Sequence, residues 1–312
     1  MAVTNLTAVT AEQLLLRDCV MRCAWYLDRG DSQGFAACFT PDGAVVLRDG
    51  KRYEGTAGIR RFVAEAGRTP GFRGRQHHVQ PMFVENSPDG PVVVSYFQVL
   101  QAKVGEAPAI VSMGYYRDLV HEREGRLLIK QRNLYRWNSE QAPRAGDVSV
   151  KASHNPMRSD RVQQSAQPSI ADRLEMERLM VEYAAALDTG DLARMAEAFE
   201  SDGELISSSL GKLIGPAGLR RFLANNTKDP AFAGRQHRIF PLVFEQVGEG
   251  WRAYSYWKVE TWSLGKPATV LALGYYEDLF TKRSGRWKLA SKAIRRWNNE
   301  AAPMAPTWPE SE

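Results

Sequence analysis

The chain is expected to fold as an α+β protein, built twice. Three observations lead there. The sequence repeats itself at an offset of 160 residues (237 − 77, from His77 to His237); each copy opens on amphipathic helical patterns; and each closes on long strand-like stretches divided by turn signals. Helices gathered ahead of antiparallel strands place the helices on one face of a sheet. Long strands twist, and a strongly curved sheet leaves a pocket between itself and the helices.

The repeat sets the domain organisation. Val9 to Ala145 align with Ser169 to Ala305 without a gap, and about a third of the paired positions are identical. "LDRGD" meets "LDTGD", "AGIRRF" meets "AGLRRF", "GYYRDL" meets "GYYEDL" and "RWNSEQAP" meets "RWNNEAAP". The expected division is therefore a first domain at 9–145, a linker at 146–168, a second domain at 169–305 and a loose tail at 306–312. The linker is rich in Ser, Gln, Pro and charge and poor in large apolar residues, which suits an irregular connection.

In the first copy Leu16, Val20, Cys23 and Leu27 recur at helical spacing, as Met176, Met180, Tyr183 and Leu187 do in the second. Gly30 and Gly190 stand where a helix ends in the left-handed conformation, and Asp31 and Asp191 where a side chain caps the next helix. A further helix follows in "TAGIRRFVAEAG" and "PAGLRRFLANN". Four strand stretches of the first copy come after it: "RQHHVQPMFVE", "PVVVSYFQVL", "AIVSMGYYRDLVHE" and "RLLIKQRNLYRW", separated by signals such as "SPDG" and "REG".

Composition excludes several function classes. The formal charge of +5 comes from 41 basic residues spread along 312, so a nucleic-acid partner is not expected. The three cysteines, Cys19, Cys23 and Cys38, all lie in the first half without paired metal-ligand spacing, which suits reduced thiols in the cytoplasm. No apolar run approaches the ~20 residues of a membrane helix, and the first residues lack the pattern of a signal peptide, so no membrane partner is expected. There is no GxGxxG after a strand, no phosphate-binding loop, no HExxH and no G-x-S-x-G elbow. Neither a cofactor nor a metal is accordingly expected.

The candidate chemistry sits in "GRQHHVQ", which returns as "GRQHRIF". On one strand face Arg75, His77, Val79 and Phe83 become Arg235, His237, Ile239 and Val243, so the histidine shares a side with residues that stay apolar. His77 and His237 are expected to face inward. His78 becomes Arg238, and a position exchanging imidazole for guanidinium is expected at a rim or in solvent. Asp28 and Asp188 lie four residues after Ala24 and Ala184, on the edge of the apolar helix stripe, where they can turn inward. An inward carboxylate beside an inward imidazole fixes the ring's tautomer and favours its protonated form, the arrangement of a general base. A core histidine bonded to backbone, with an aspartate that merely ends a helix, is the other reading of the same residues.

Weaker candidates accompany the pair. Tyr183 lies on the inward stripe, where a phenol could donate to a developing oxyanion; its counterpart is Cys23, a much weaker donor, with Tyr26 nearby but out of register. Arg136 and Arg296 end the last strand beside Trp137 and Trp297 and, with Arg75 and Arg235, are candidates for holding an anionic group, with surface or interdomain pairing as the other reading of all four. Tyr115, Tyr116, Tyr275 and Tyr276 read as sheet-packing aromatics.

Taken together, the helix ending in Y-x4-L-D-x-G-D, the "F-x2-DG" phrase, the "G-x-A-G-[IL]-R-R-F" helix, the His-bearing strand and the closing "G-Y-Y-x-D" resemble the SnoaL-like branch of the nuclear transport factor 2-like superfamily. The resemblance implies two tandem cone-shaped domains, each a curved, mostly antiparallel sheet wrapped on three N-terminal helices. The scytalone dehydratase, bile-acid dehydratase and lindane dehydrochlorinase members pair a helix Asp with a sheet His, which Asp28 with His77 and Asp188 with His237 match; Tyr183 resembles the helix tyrosine of the bile-acid enzyme. The implied activity is that of a cofactor-independent lyase acting on an apolar aromatic or polycyclic small molecule. A double-bond isomerase or cyclase using the same base, and a non-catalytic binding or assembly module, are the alternatives. The fused copies are expected to pack as an internal pseudo-dimer, with further homo-oligomerisation left open.

Overall fold

The computed structural model describes residues 2–138, 167–229 and 232–306. Packing separates the chain into two compact units, Met1–Gln101 with Ile110–Ser165 and Ala302–Glu312, and Ala102–Ala109 with Ala166–Ala301. The expected linker 146–168 and tail 306–312 lie outside the described residues apart from 167, 168 and 306.

Unit one runs α1 (Ala2–Asp28), α2 (Ser32–Ala36), β1 (Phe39–Leu47), β2 (Arg52–Glu54), α3 (Gly55–Gly67), β3 (Arg75–Ser87), β4 (Gly90–Gln101), β5 (Ala109–Arg123) and β6 (Arg126–Arg136). Unit two repeats the series as α4 (Ile170–Thr189), α5 (Leu192–Ala198), β7 (Phe199–Ser207), β8 (Gly211–Ile214), α6 (Gly215–Thr227), β9 (Arg235–Val247), β10 (Gly250–Thr261), β11 (Thr269–Arg283) and β12 (Arg286–Arg296). Each unit carries one six-stranded sheet, ordered β2-β1-β6-β5-β4-β3 and β8-β7-β12-β11-β10-β9. β1 with β6 and β7 with β12 are parallel, whereas β1 with β2, β3 with β4, β5 with β6, β7 with β8, β9 with β10, β10 with β11 and β11 with β12 are antiparallel.

The long helix of each unit forms for the reason its spacing suggests: Leu16, Val20, Cys23 and Leu27 are buried, as are Met176, Met180, Tyr183 and Leu187. Gly190 ends α4 at φ 72°, a left-handed conformation that costs glycine nothing. Asp31 and Asp191 then cap the next helix, accepting from the Gly34 N–H at 2.7 Å and the Arg194 N–H at 3.0 Å. In unit two the helix and sheet close over one core that joins Met176, Met180 and Tyr183 to Phe199, Leu205, Trp257 and Tyr276.

Two strands per unit exceed the sequence expectation. β1 and β7 each contain a Pro- or Ser-Asp-Gly signal that reads as punctuation, yet the chain passes through it as a strand with a register shift, between Phe39 and Ala44 and between Leu289 and Ser291 on the partner. The glycine of the "F-x2-DG" phrase is there for space: a Cβ on Gly203 would stand 2.9 Å from the carbonyl oxygens of Glu200 and Leu289. The phrase is structural.

One expected orientation is corrected. His78 lies on the outward strand face but is buried, 4% exposed, with its Nε2 3.0 Å from Gln76 Oε1. Its outward neighbours Gln76 and Leu100 are themselves buried, so strand parity alone does not deliver a side chain to solvent there. In unit two the corresponding Gln236 and Arg238 are exposed. Among the described residues, no helix is long and apolar enough to cross a membrane.

Candidate functional site

The helix end and the first residues of the adjacent strand meet at one point in each unit. Asp28 is the last residue of α1 and Asp188 the penultimate residue of α4, and both helices pack against the strand that carries the histidine. His77 is opposite Val99 in the β3–β4 register, and His237 opposite Val259 in β9–β10. The His77 backbone N–H donates to Asp28 Oδ2 at 2.7 Å, while its Nδ1 meets Asp28 Oδ1. In unit two the His237 N–H donates to Asp188 Oδ2 at 2.8 Å, and Nδ1 lies 2.5 Å from Asp188 Oδ1. A carboxylate only accepts, so Nδ1 carries the hydrogen and Nε2 keeps the lone pair. The backbone contact adds a second anchor, which holds the imidazole against rotation about its own hydrogen bond.

Both histidines line cavities. That of unit one is about 760 Å³ and is bounded by Leu27, Phe62, Phe72, Tyr116 and Leu134 among its apolar groups. That of unit two is about 550 Å³, walled by Leu187, Phe222, Trp257, Val259, Tyr276 and Ile294. Such volumes fit a small ring system, and the mixed walls fix its orientation. Trp257 brings a buried indole N–H without a hydrogen-bond partner to the wall of the second cavity. Glycine makes room for these rings: a Cβ on Gly274 would fall 2.1 Å from the Trp257 ring, and one on Gly114 2.6 Å from that of Phe97.

The remaining candidates separate into two groups. Arg75 and Arg136 line the first cavity, and Arg235 and Arg296 the second. Tyr183, Cys23 and Tyr26 do not line either. Tyr183 is fully buried beneath the second cavity, edge-on to Tyr276 at 5.9 Å and to Phe199 at 6.1 Å, and its hydroxyl has no hydrogen-bond partner. Burial pushes its pKa well up, with the carboxylates of Asp278 and Asp188 adding to the effect, so the phenol stays protonated. Cys23 is buried with its Sγ 3.5 Å from the Cys19 carbonyl. Tyr26 is half-buried, with its ring against Gly34. The inward stripe of a helix is the face that meets the sheet, and only its last turn reaches the cavity.

A feature absent from the sequence reading lies under each cavity. Arg132, on the wall of the first, donates through Nε and Nη2 to Asp118 Oδ1 and Oδ2, both at 2.8 Å, and its guanidinium stands 4.4 Å over the Tyr116 ring. In unit two Lys292 Nζ donates to Asp278 Oδ2 at 2.8 Å and lies 3.8 Å from the Tyr276 ring centre. Burial pushes the Asp278 pKa up and that of Lys292 down, against their mutual attraction. Burial pushes the Asp118 pKa up as well, while the arginine of unit one keeps its charge. The aspartates are those of the repeated "G-Y-Y-x-D", and 132 and 292 are basic in both copies. Tyr116 and Tyr276, expected only as packing aromatics, are also cavity wall. Among the described residues, no group of three or more His, Cys, Asp or Glu could hold a metal ion.

A family model described as "SnoaL-like domain" matches residues 10–133 and again 168–293. Among solved structures, the chain is similar to a protein of unknown function with a cystatin-like fold from Nostoc punctiforme, at 20% identity over 46% of this chain and 98% of that one, with a TM-score of 0.38. It is similar to ActVI-ORFA from Streptomyces coelicolor, at 23% identity over 40% and 96% with a TM-score of 0.36. It is also similar to a hexachlorocyclohexane dehydrochlorinase, LinA-type3, from Novosphingobium barchaimii, at 20% identity over 40% and 86% with a TM-score of 0.36. No curated protein matches it in sequence.

Proposed function

Matched twice along its length, the chain belongs to the SnoaL-like domain family, and from that premise we propose that it is a lyase that eliminates across a carbon–carbon bond of an apolar cyclic or aromatic small molecule, using only its own side chains. The observation that carries this reading is the double engagement of each aspartate. One oxygen takes the histidine's backbone N–H and the other its Nδ1, so the imidazole presents Nε2 as a proton acceptor on the wall of a cavity. Nε2 of His77 or His237 removes a proton from carbon. Electrons of the broken C–H bond form the double bond, and the leaving group departs from the neighbouring carbon with its own bonding pair. Asp28 or Asp188 compensates the imidazolium that results. Tyr183 has no hydrogen-bonding part in this scheme; its place is in the floor.

The test is product mass on a panel of cyclic β-hydroxy ketones. Elimination lowers the mass by one water, whereas migration of a double bond leaves it unchanged and points to an isomerase. Asp188→Asn and Asp28→Asn together should depress kcat with little change in KM, because asparagine can still accept from Nδ1 but cannot balance the charge. Unchanged compounds across the panel would remove the enzymatic reading in favour of a binding or assembly module.

A further inference from the structure

The two cavities differ at several paired positions, and one of them, 69 and 229, changes what an arginine at the mouth can hold. In unit two the Arg235 guanidinium is engaged by the carboxylate of Asp229, and both residues line the cavity. In unit one the position of Asp229 is Thr69 (69 + 160 = 229), which also lines its cavity. Among the described residues, no carboxylate forms an ion pair with Arg75, the counterpart of Arg235. Its Nε–H, like that of Arg235, is buried without a hydrogen-bond partner, and among the described residues its side chain donates one hydrogen bond, a long one of 3.5 Å from Nη2 to the Pro70 carbonyl.

Arg136 lines the same mouth from the end of β6 and is exposed. Burial lowers the Arg75 pKa, and the Arg136 guanidinium lowers it further, with Asp28 acting in the opposite sense. Two guanidinium groups therefore line one mouth. Of the carboxylates on this wall, Glu65 is held by Lys51 at 2.8 Å and by the Tyr53 hydroxyl at 2.6 Å, and Asp49 accepts the Lys51 N–H at 2.9 Å through one oxygen.

Resting on the reading of these cavities as small-molecule sites, we propose that unit one takes a ligand that carries a carboxylate, clamped at the mouth between Arg75 and Arg136, and that unit two takes an uncharged one because Asp229 already occupies the equivalent place. Guanidinium groups match a planar carboxylate with paired N–H donors, and such charge-assisted bonds are about twice as strong as neutral ones. The ring system of the ligand lies against Phe62, Phe72 and Leu134, and the carboxylate meets the arginines. Asp229 supplies in unit two the group that the ligand supplies in unit one. Lys228 and Arg296 also line the second cavity, but there the Asp229 carboxylate already engages Arg235 through Nη2.

Calorimetric titration of the full chain with 2-naphthoate, and with 2-naphthamide as its uncharged counterpart, tests this. One naphthoate per chain is expected, bound at least about tenfold more tightly than the amide. Thr69→Asp should abolish the site, Asp229→Thr should raise the stoichiometry to two, and Arg136→Gln, an exposed change, should reproduce the loss should Thr69→Asp disturb folding. His77→Gln should leave naphthoate binding intact. If a His77→Gln, His237→Gln double variant loses turnover while naphthoate binding persists, clamp and base stand independently; if turnover also persists, the base fails and the clamp survives. Absence of naphthoate binding, equal affinity for acid and amide, two sites in the wild type, or a preference indifferent to both Thr69→Asp and Arg136→Gln would each overturn the proposal.

Discussion

A chain carrying His77→Ala and His237→Ala is expected to lose turnover by about 10²- to 10⁴-fold, the usual contribution of a positioned general base, while keeping its far-UV circular dichroism. Each histidine is 12% exposed at its side chain, so truncation removes a wall group and leaves the hydrophobic core in place. The single variants divide the activity between the units. The two sites hold the same Asp–His geometry but differ in volume, in the mouth and in the floor, so a given substrate should be turned over mainly by one of them. Loss confined to one single variant identifies that unit; full activity in the double variant removes both histidines from the chemistry.

The second large effect is on stability. Asp118→Ala is expected to destabilise unit one by about 3–5 kcal/mol, because it leaves the Arg132 guanidinium buried and uncompensated. Both oxygens of Asp118 are used by Arg132, and the pair is 0% and 4% exposed at its side chains. The remaining contacts of Arg132, a 3.4 Å approach to the Val20 carbonyl and the face of Tyr116, do not replace a counter-charge. Removing both charges in the Asp118→Leu, Arg132→Met variant should restore much of the loss, since an apolar pair of similar volume has no desolvation to offset. Urea unfolding followed by circular dichroism separates the cases; a single variant as stable as the parent would show that water reaches the guanidinium.

How much of this was legible in the sequence depends on which residues are asked. The repeat made the helices and the inward histidine visible, because a second copy acts as an internal comparison: His77 keeps its identity at 237 and His78 does not. The pairing with Asp28 and Asp188 followed from placing a carboxylate at the end of an apolar stripe. β1 was not legible, since Pro41-Asp42-Gly43 carries the composition of a turn and only contact with β6 makes it a bulged strand. The Arg132–Asp118 pair was hidden for a different reason. Its members are 14 residues apart on neighbouring strands, and register is not written in either strand alone. A signal existed nonetheless, in an aspartate repeated after "GYY" and a position that exchanges arginine for lysine without losing its charge. Tyr183 was placed on the right face but at the wrong depth, because an apolar stripe specifies direction and says nothing of how far along the helix the cavity begins.

The most direct test of the imidazole's orientation needs no substrate. In a ¹⁵N-histidine spectrum of the full chain, each of the five histidines gives a pair of ring nitrogens, assigned by the loss of signals in His77→Gln and His237→Gln. With the rings neutral, Nδ1 of His77 and of His237 should carry the proton and Nε2 should show the shift of an unprotonated nitrogen, as a carboxylate acceptor at Nδ1 requires. Protonated Nε2 with bare Nδ1 at both positions would contradict the Asp–His arrangement, and with it the assignment of these residues as the base.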